Sequence, residues 1–265
     1  MNSVRHFLLA LQFFTRVPVT GALAGWVGFS PAMLRASAAH FPGIGWLVGG
    51  VGAGVFCLAR IGLPGPIGAL GAAALSTIAT VLLTGAFHED GLADVADGLG
   101  GSADRDRALE IMKDSRIGAF GVLALALALG LKLPLLALLA EQGAAALVVA
   151  LVSAHVLSRL APLFLIRWLP YVGGEGGASK SKPLADAISG GALWVGIAWS
   201  LPALAWLVMT HGLVRGLAPV ALCTLAAFGM ARLLWRRLRG FTGDGLGATQ
   251  QVSELAIYLA LAWRP

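Results

Sequence analysis

Long runs of apolar residues divide the chain, and short polar segments separate them. The runs 36–59, 61–87 and 187–214 contain no Lys, Arg, Asp or Glu. Each is longer than the roughly 20 residues that a helix needs to cross a hydrocarbon core. Only 12% of the 265 residues are charged, about half the usual share of a soluble domain. The pattern therefore predicts an all-α, polytopic transmembrane helix bundle.

Six spanning helices follow from the pattern, at 41–61, 66–87, 118–140, 143–166, 190–210 and 213–233. A shorter apolar run at 252–263 predicts a tilted or partial seventh span. The connections at 62–65 and 141–143 are tight, so those helix pairs are expected to be antiparallel neighbours. We interpret residues 1–265 as a single integral membrane domain.

Residues 3–14 predict an amphipathic helix that is too short to span and lies in the membrane interface. The segment 15–30 contains several Gly and Pro residues and predicts a loop. No small-residue cleavage site follows an apolar core, so no removable signal peptide is expected. Glycine pairs such as Gly45 with Gly49, and Gly50 with Gly54, predict close helix packing.

The net charge of +6 arises from basic residues that flank the apolar runs. Loops 15–40, 88–117, 167–189 and 234–251 fall on one side and hold twelve of them, including Lys180 and Lys182. The positive-inside rule places these loops in the cytoplasm, and it explains the basic residues better than a nucleic-acid partner does. We expect an integral protein of the cell (inner) membrane with its active site facing the cytoplasm. Cys57 and Cys223 lie in apolar runs, which argues against a disulfide or a thiolate metal site. The oligomeric state stays open, a homo-oligomer included.

Carboxylates are concentrated in a predicted cytoplasmic acidic loop, 88–117, with eight of the thirteen acidic residues. If the second helix continues through it, Asp90, Asp94 and Asp97 share one face. Carboxylates held this close repel each other unless a cation neutralises them. Oxygen ligands without cysteine favour Mg²⁺, whose remaining positions water and substrate phosphate fill. We therefore predict Glu89, Asp90, Asp94 and Asp97 as metal ligands; a solvated loop without a ligand is the alternative.

His88 and the three aspartates Asp90, Asp94 and Asp97 are the candidate catalytic residues, as acceptors of a proton. A purely structural His88 is the alternative, because histidines at a membrane interface are commonly structural. The choice between the carboxylates and His88 stays open at this point.

Lys113 and Arg116 stand at the predicted N-terminus of the third helix, where free N–H groups and side-chain charge can hold a phosphate. Gly118 and Gly121 would permit close backbone approach. The alternative is that Arg116 only anchors the helix at the lipid headgroups.

Four ionisable residues lie within apolar runs, where a charge is costly and is commonly functional. Arg159 stands four residues after His155 and is a candidate phosphate ligand. Lys132 either extends to the interface or pairs with Glu254. Near the end of the chain, Asp244 in a glycine-spaced loop is a candidate substrate contact, with a plain turn as the alternative.

Five segments together resemble the cobalamin synthase family, the adenosylcobinamide-GDP ribazoletransferases. They are LQFFTRVPV, FPGIGWLVGG, TGAFHEDGLADVADG, IMKDSRIGAFG and FTGDGLGA, in family order across nearly the whole chain. The resemblance implies a membrane enzyme that uses Mg²⁺. It implies that α-ribazole, or α-ribazole 5′-phosphate, attacks adenosylcobinamide-GDP, releases GMP and forms adenosylcobalamin or its 5′-phosphate.

Three other protein classes are alternatives from the residues alone. A CDP-alcohol phosphotransferase uses similar chemistry, but its motif DG-x2-AR contains an Arg that this chain lacks after Asp90-Gly91, and the second half of the motif, G-x3-D-x3-D, has no match here. A transporter with an acidic gate would place its ionisable residues near the midplane, whereas this cluster is predicted at a membrane surface. Aspartate-rich prenyltransferases carry two paired motifs, and one strong cluster is present here.

Overall fold

The computed structural model describes residues 2–174 and 188–263, which form a bundle of helices. The helices are α1 (Asn2–Phe14), α2 (Gly21–Val27), α3 (Pro31–Ser37), α4 (Phe41–Gly62), α5 (Gly65–Thr84), α6 (Phe87–Gly101), α7 (Arg105–Ile111), α8 (Ala119–Glu141), α9 (Ala144–Trp168), α10 (Gly190–His211), α11 (Leu213–Leu238) and α12 (Gly243–Ala262). A short 3₁₀ turn, Ala38–His40, joins α3 to α4. In the described ranges, the β-structure is an isolated bridge between Tyr171 and Phe241. Lys180 and Lys182, counted among the cytoplasmic charges, lie outside these ranges.

Six segments are long and apolar enough to cross a membrane, and they coincide with the six predicted spans. They are Pro31–Gly62, Gly65–Thr84, Ala119–Glu141, Ala144–Trp168, Gly190–His211 and Leu213–Leu238. The all-helical membrane bundle is therefore confirmed. The predicted partial span at 252–263 is the second half of α12, which begins at Gly243 and is buried along most of its length. This helix is a core element rather than a lipid-facing one.

The predicted N-terminal helix is present as α1, and it packs onto the bundle. The Phe14 ring lies 4.0 Å from that of Phe41, and Phe7 stacks on Trp199 at 5.7 Å between ring centroids. The prediction of a loop over 15–30 is wrong for Gly21–Val27, which is helical. A long-range contact explains this difference, because Arg5 Nε donates to the carbonyl of Val27 at the end of α2 (2.9 Å).

The second span does not continue into the acidic segment, so that expectation is wrong. Gly85 (φ 67°) and Ala86 (φ 59°) are both left-handed and end α5, and α6 starts afresh at Phe87. The amide of Arg16 donates to the carbonyl of Leu83 (2.7 Å), and its guanidinium covers Gly85, where any side chain would collide with it. The predicted acidic loop 88–117 is therefore mostly the helices α6 and α7.

Helix α9 lies at the centre of the bundle and is buried along nearly its whole length. Gly45 and Gly49 of α4 face it so closely that a Cβ would stand 2.6–2.7 Å from the Cα atoms of Val156 and Val152. The predicted small-residue contact is therefore confirmed for this pair. Gly50 and Gly54 face open space, so the same prediction is wrong for them.

A buried ion pair links α8 to α12. Lys132 Nζ lies 2.7 Å from Glu254 Oε1, and His155 Nδ1 of α9 lies 3.2 Å from Glu254 Oε2. Gln250 Nε2 donates to the same oxygen at 2.7 Å. The predicted pairing of Lys132 with Glu254 is confirmed, and it gives each buried charge a compensating partner.

We expect Lys132→Met to destabilise the fold by about 3–5 kcal/mol, because removal of one partner leaves a buried charge poorly compensated. The double variant Lys132→Met/Glu254→Gln removes both charges, and it is expected to recover most of this loss. The measurement is chemical unfolding of the detergent-purified protein. A single variant as stable as the native protein would contradict the prediction.

Candidate active site

The first turn of α12 lies against the middle of α6 and brings Asp244 to the acidic residues. A Cβ on Gly91 would stand 2.7 Å from the carbonyl oxygen and 3.1 Å from the Cα of Asp244, so glycine is required for this approach. Thr242 starts α12, because its Oγ1 accepts from the amide of Gly245 (3.1 Å). The structure thus adds a fourth aspartate, from the far end of the sequence, to those of α6.

The electrostatics of this contact show that the carboxylates crowd one another. The pKa of Asp94 is raised to about 7, chiefly by partial burial and then, in decreasing order, by the charges of Asp244, Asp90 and Asp97. Burial also raises the pKa of Asp244, and Asp90 adds to the increase. Asp90 itself is exposed. A cation at this point would relieve the repulsion.

Asp97 has a structural role that the sequence did not indicate. Its side chain is 7% exposed, and its carboxylate oxygens accept from the amides of Gly118 (2.7 Å) and Gly121 (2.8 Å). A Cβ at either glycine would collide with this carboxylate. The prediction that these glycines open the α8 N-terminus to a substrate phosphate is therefore corrected: the anion held there is Asp97.

Glu89 faces a different neighbour from the aspartates. Gln251 Nε2 of α12 donates to Glu89 Oε1 (3.0 Å), while Glu89 Oε2 is buried and has no hydrogen-bond partner in the described part of the chain. Burial raises the pKa of Glu89. The four predicted metal ligands are consequently not brought together, since Asp97 caps α8 and Glu89 contacts Gln251.

Within residues 2–174 and 188–263, no three His, Cys, Asp or Glu side chains are arranged to hold a metal ion by themselves. Mg²⁺ does not require such a cage, because it commonly binds one or two carboxylates and completes its shell with water and substrate phosphates. The crowded, partly exposed carboxylates Asp90 and Asp94 suit that mode of binding. The donor set therefore fits Mg²⁺ bound jointly with a substrate.

His88 lies on another side of α6, away from the aspartates by its position in the helical turn. It is 5% exposed and lines a small cavity with Arg159, which is 3% exposed. Four phenylalanines form the apolar walls of this cavity: Phe13, Phe14, Phe41 and Phe87. Burial, assisted by the charge of Arg159, holds the pKa of His88 well below its ordinary value. His88 is therefore neutral and is not placed among the carboxylates.

Arg159 is bound within the bundle but retains one free donor. Its Nη1 donates to the carbonyl oxygen of His155 (2.9 Å) and lies 3.1 Å from His155 Nδ1. Its Nε is buried without a partner among the described residues. Gly243 lines the same cavity, so this cavity borders the chain segment that carries Asp244.

Lys113 and Arg116 lie on the exposed connection between α7 and α8. Arg116 Nη2 pairs with Asp114 Oδ2 at 2.6 Å, and this contact lowers the pKa of Asp114 to about 2. Lys113 Nζ lies beside Gly174, at the end of the first described range. Both cations are accessible, and a substrate phosphate would compete with Asp114 for Arg116.

Sequence reasoning missed Gln250 and Gln251, which connect α12 to its neighbours. Gln251 Nε2 donates to Gln250 Oε1 (3.0 Å), and Gln250 Nε2 also donates to Ser158 Oγ (2.9 Å). Their adjacent amides in a largely buried helix, one turn before Glu254, were the available signal. Buried amides must find hydrogen-bond partners, which makes such pairs informative.

Comparison with known proteins identifies the family. The family model described as cobalamin-5-phosphate synthase matches residues 6–262. The chain is 58% identical to the adenosylcobinamide-GDP ribazoletransferase of Albidiferax ferrireducens, over 98% of each chain. It is 56% identical to that of Polaromonas naphthalenivorans, over 99% of each. It is 46% identical to that of Leptothrix cholodnii, over 98% of this chain and 95% of the relative.

No solved structure matches the chain. The sequence comparisons nevertheless cover the acidic helix α6, the first turn of α12 and all six spans. The chain therefore belongs to the cobalamin-5-phosphate synthase family and is an integral membrane transferase of cobalamin biosynthesis.

Proposed function

We propose that the protein transfers the corrinoid phosphoryl group of adenosylcobinamide-GDP to α-ribazole or α-ribazole 5′-phosphate, in the presence of Mg²⁺. The names of the relatives support the substrates. The observation that carries the mechanism is the convergence of Asp90, Asp94 and Asp244 at the contact between α6 and α12. The site faces the cytoplasm from the inner membrane, a placement supported by the basic residues of the loops on that side.

In the proposed reaction, a ribazole hydroxyl oxygen attacks the phosphorus that is attached to the corrinoid side chain. A new P–O bond forms, the bond from that phosphorus to the bridging diphosphate oxygen breaks, and GMP leaves with the bonding electrons. The hydroxyl proton must pass to a base. Asp244 is suited to accept it, because its pKa is raised by burial and by Asp90.

Asp90 and Asp94 are the residues that would hold Mg²⁺. When bound, Mg²⁺ neutralises the diphosphate and stabilises the departing phosphate. Asp97 supports the site indirectly, since its carboxylate fixes the N-terminus of α8 beside α6. Glu89 holds α6 to α12 through Gln251.

Three basic side chains are the proposed contacts for the diphosphate of the substrate. Lys113 and Arg116 are exposed on the α7–α8 connection and can reach a bound anion by side-chain rotation. Arg159 lines the same cavity as Gly243, the residue before Asp244. Its Nε is buried and has no partner among residues 2–174 and 188–263, which supports a role in binding an anion.

Asp94→Asn is expected to lower turnover at least about 100-fold, because loss of residues that merely support a metal ligand already costs 10–100-fold. The folded protein should persist, since the substitution removes a carboxylate that is repelled by its neighbours. The measurement is GMP release from adenosylcobinamide-GDP and α-ribazole by the purified protein in lipid.

Asp97→Asn is the matched control on the same helix. It weakens the cap on α8, so its main effect is expected on thermal stability rather than on the response to Mg²⁺. If the Asp94→Asn variant kept native turnover while folded and inserted, the assignment of Asp94 would be refuted.

Binding of Mg²⁺ is expected to strengthen as the pH rises through about 7. Asp94 has a pKa of about 7, and a carboxylate binds metal only in its ionised form. The Mg²⁺-induced rise in unfolding temperature should therefore be larger at about pH 8 than at about pH 6, with affinity changing about tenfold per pH unit below the pKa. Thermal unfolding with and without Mg²⁺ measures this.

The metal-free protein is expected to show the opposite trend. Its folded state binds the Asp94 proton more tightly than the unfolded chain does, whose ordinary pKa is 3.8. This contribution to stability is therefore lost as the pH rises from about 4 towards 7. The Asp94→Asn variant should lose the pH dependence of the Mg²⁺ effect and the share of the metal-free trend that Asp94 contributes, leaving the contributions of Asp244 and Glu89, whose pKa values are also raised. A variant with an unchanged metal-free trend would show that Asp94 is not the group that titrates.

A further inference from the structure

An apolar groove lies between α9 and α11 and encloses about 350 Å³. The two helices run in the same direction, because the segments that follow them meet in the parallel bridge between Tyr171 and Phe241. Leu157 and Val220 line one end of the groove, and Trp168 and Ala231 line the end nearer this bridge. The groove thus follows the membrane-crossing direction of two spans.

The chemistry of the groove fits hydrocarbon and excludes the polar substrates of the enzyme. Its walls are apolar side chains, apart from Cys223 and Thr224. The Thr224 hydroxyl is occupied, because it donates to the carbonyl of Val220 in its own helix (2.8 Å). Phe228 and Trp168, which line the groove, are 64% and 72% exposed and face outward. Both helices are membrane spans, so the medium at this opening is lipid.

The end of the groove nearer the bridge carries aromatic and basic side chains. Arg167 precedes Trp168, and Arg232 follows Ala231 one turn after Phe228. Both arginines are exposed, and neither has an ion pair or side-chain hydrogen bond within the described ranges. Indole rings and cationic side chains at the end of an apolar span are typical of the headgroup level of a membrane. Charge complementarity therefore favours a negatively charged headgroup.

We propose that the α9–α11 groove binds one anionic phospholipid, with an acyl chain between the two helices and the phosphate at Arg167 and Arg232. The site is separate from the carboxylates of α6 and α12, and it does not depend on the proposed reaction. Bound lipid would fill space that otherwise separates α11 from the central helix α9. It would thereby stabilise the end of α11, which leads into the first turn of α12, against the end of α9.

Native mass spectrometry of the detergent-purified protein, incubated with phosphatidylglycerol or phosphatidylcholine, tests the proposal. The native protein is expected to retain one phosphatidylglycerol in preference to phosphatidylcholine. Ala227→Trp fills the groove and should abolish this retention. Leu225→Trp is the matched control, because Leu225 is on α11, is 64% exposed and does not line the groove; it should retain the lipid.

A second pair of variants tests the headgroup contact without altering the groove. In the double variant Arg167→Gln/Arg232→Gln, the ratio of retained phosphatidylglycerol to retained phosphatidylcholine is expected to fall about tenfold. Arg215→Gln removes a charge at the other end of α11 and should leave the preference unchanged. Equal retention by the native and Ala227→Trp proteins would overturn the proposal, as would equal binding of both lipids by the native protein. A native dimer that the Ala227→Trp variant dissociates would also overturn it, by assigning the groove to a second copy of the chain.

Discussion

An ionised group inside a helix bundle needs oppositely charged or hydrogen-bonding neighbours, and in this chain the buried carboxylate of Glu254 has such neighbours. Its carboxylate contacts Lys132 of α8, His155 of α9 and Gln250 of its own helix. Because the partners come from different helices, one buried carboxylate sets the positions of α8, α9 and α12 together. A buried network of this kind stabilises one arrangement only when its members are satisfied. From Gln250 it continues through Gln251 to Glu89 on α6.

The same network places the candidate site. Helix α12 is held at its middle by the ion pair, and its first turn then meets α6 at Gly91. That contact brings Asp244 to Asp90 and Asp94, whose mutual repulsion is unfavourable without a cation. The buried ion pair between Lys132 and Glu254 thus helps to hold the aspartates, whose charges repel one another, at the contact between α6 and α12. Such an arrangement suits a site that a cation completes, since a cation supplies the positive charge that the crowded carboxylates lack.

The membrane spans could be predicted because uncharged runs longer than a bilayer leave few alternatives. The boundaries that failed depend on contacts that the local pattern does not contain. Ala86 adopts a left-handed conformation that is unusual for alanine, and Arg16, far away in sequence, covers the break beside it. Helix α2 ends against the side chain of Arg5 in the same way. In both cases tertiary contact overrode the local pattern.

The arrangement of the candidate site residues could be predicted only in part, because it too depends on contacts that the local pattern does not contain. Spacing places Asp90, Asp94 and Asp97 on one face of a helix, but their chemistry depends on what each meets there. Asp97 meets the N-terminus of α8, 21 residues away, and Asp94 meets the charge of Asp244. Asp90 stays exposed. Glu89 meets Gln251, 162 residues away. A helical repeat reports which residues share a face, and it contains no information on the element that packs there.

The cap that Asp97 provides also changes how a diphosphate would be held. With the free amides of α8 occupied by a carboxylate of the protein, the helix N-terminus offers little to a second anion. The proposed phosphate binding at Lys113 and Arg116 would then depend on side-chain charge, which salt screens at an exposed surface. The hydrogen bonds from Gly118 and Gly121 to Asp97 nevertheless hold the α7–α8 connection beside α6, about one helical turn from Asp94. Lys113 and Arg116 would therefore bind a diphosphate on the α7–α8 side, close to Asp94, which is one of the residues proposed to hold Mg²⁺.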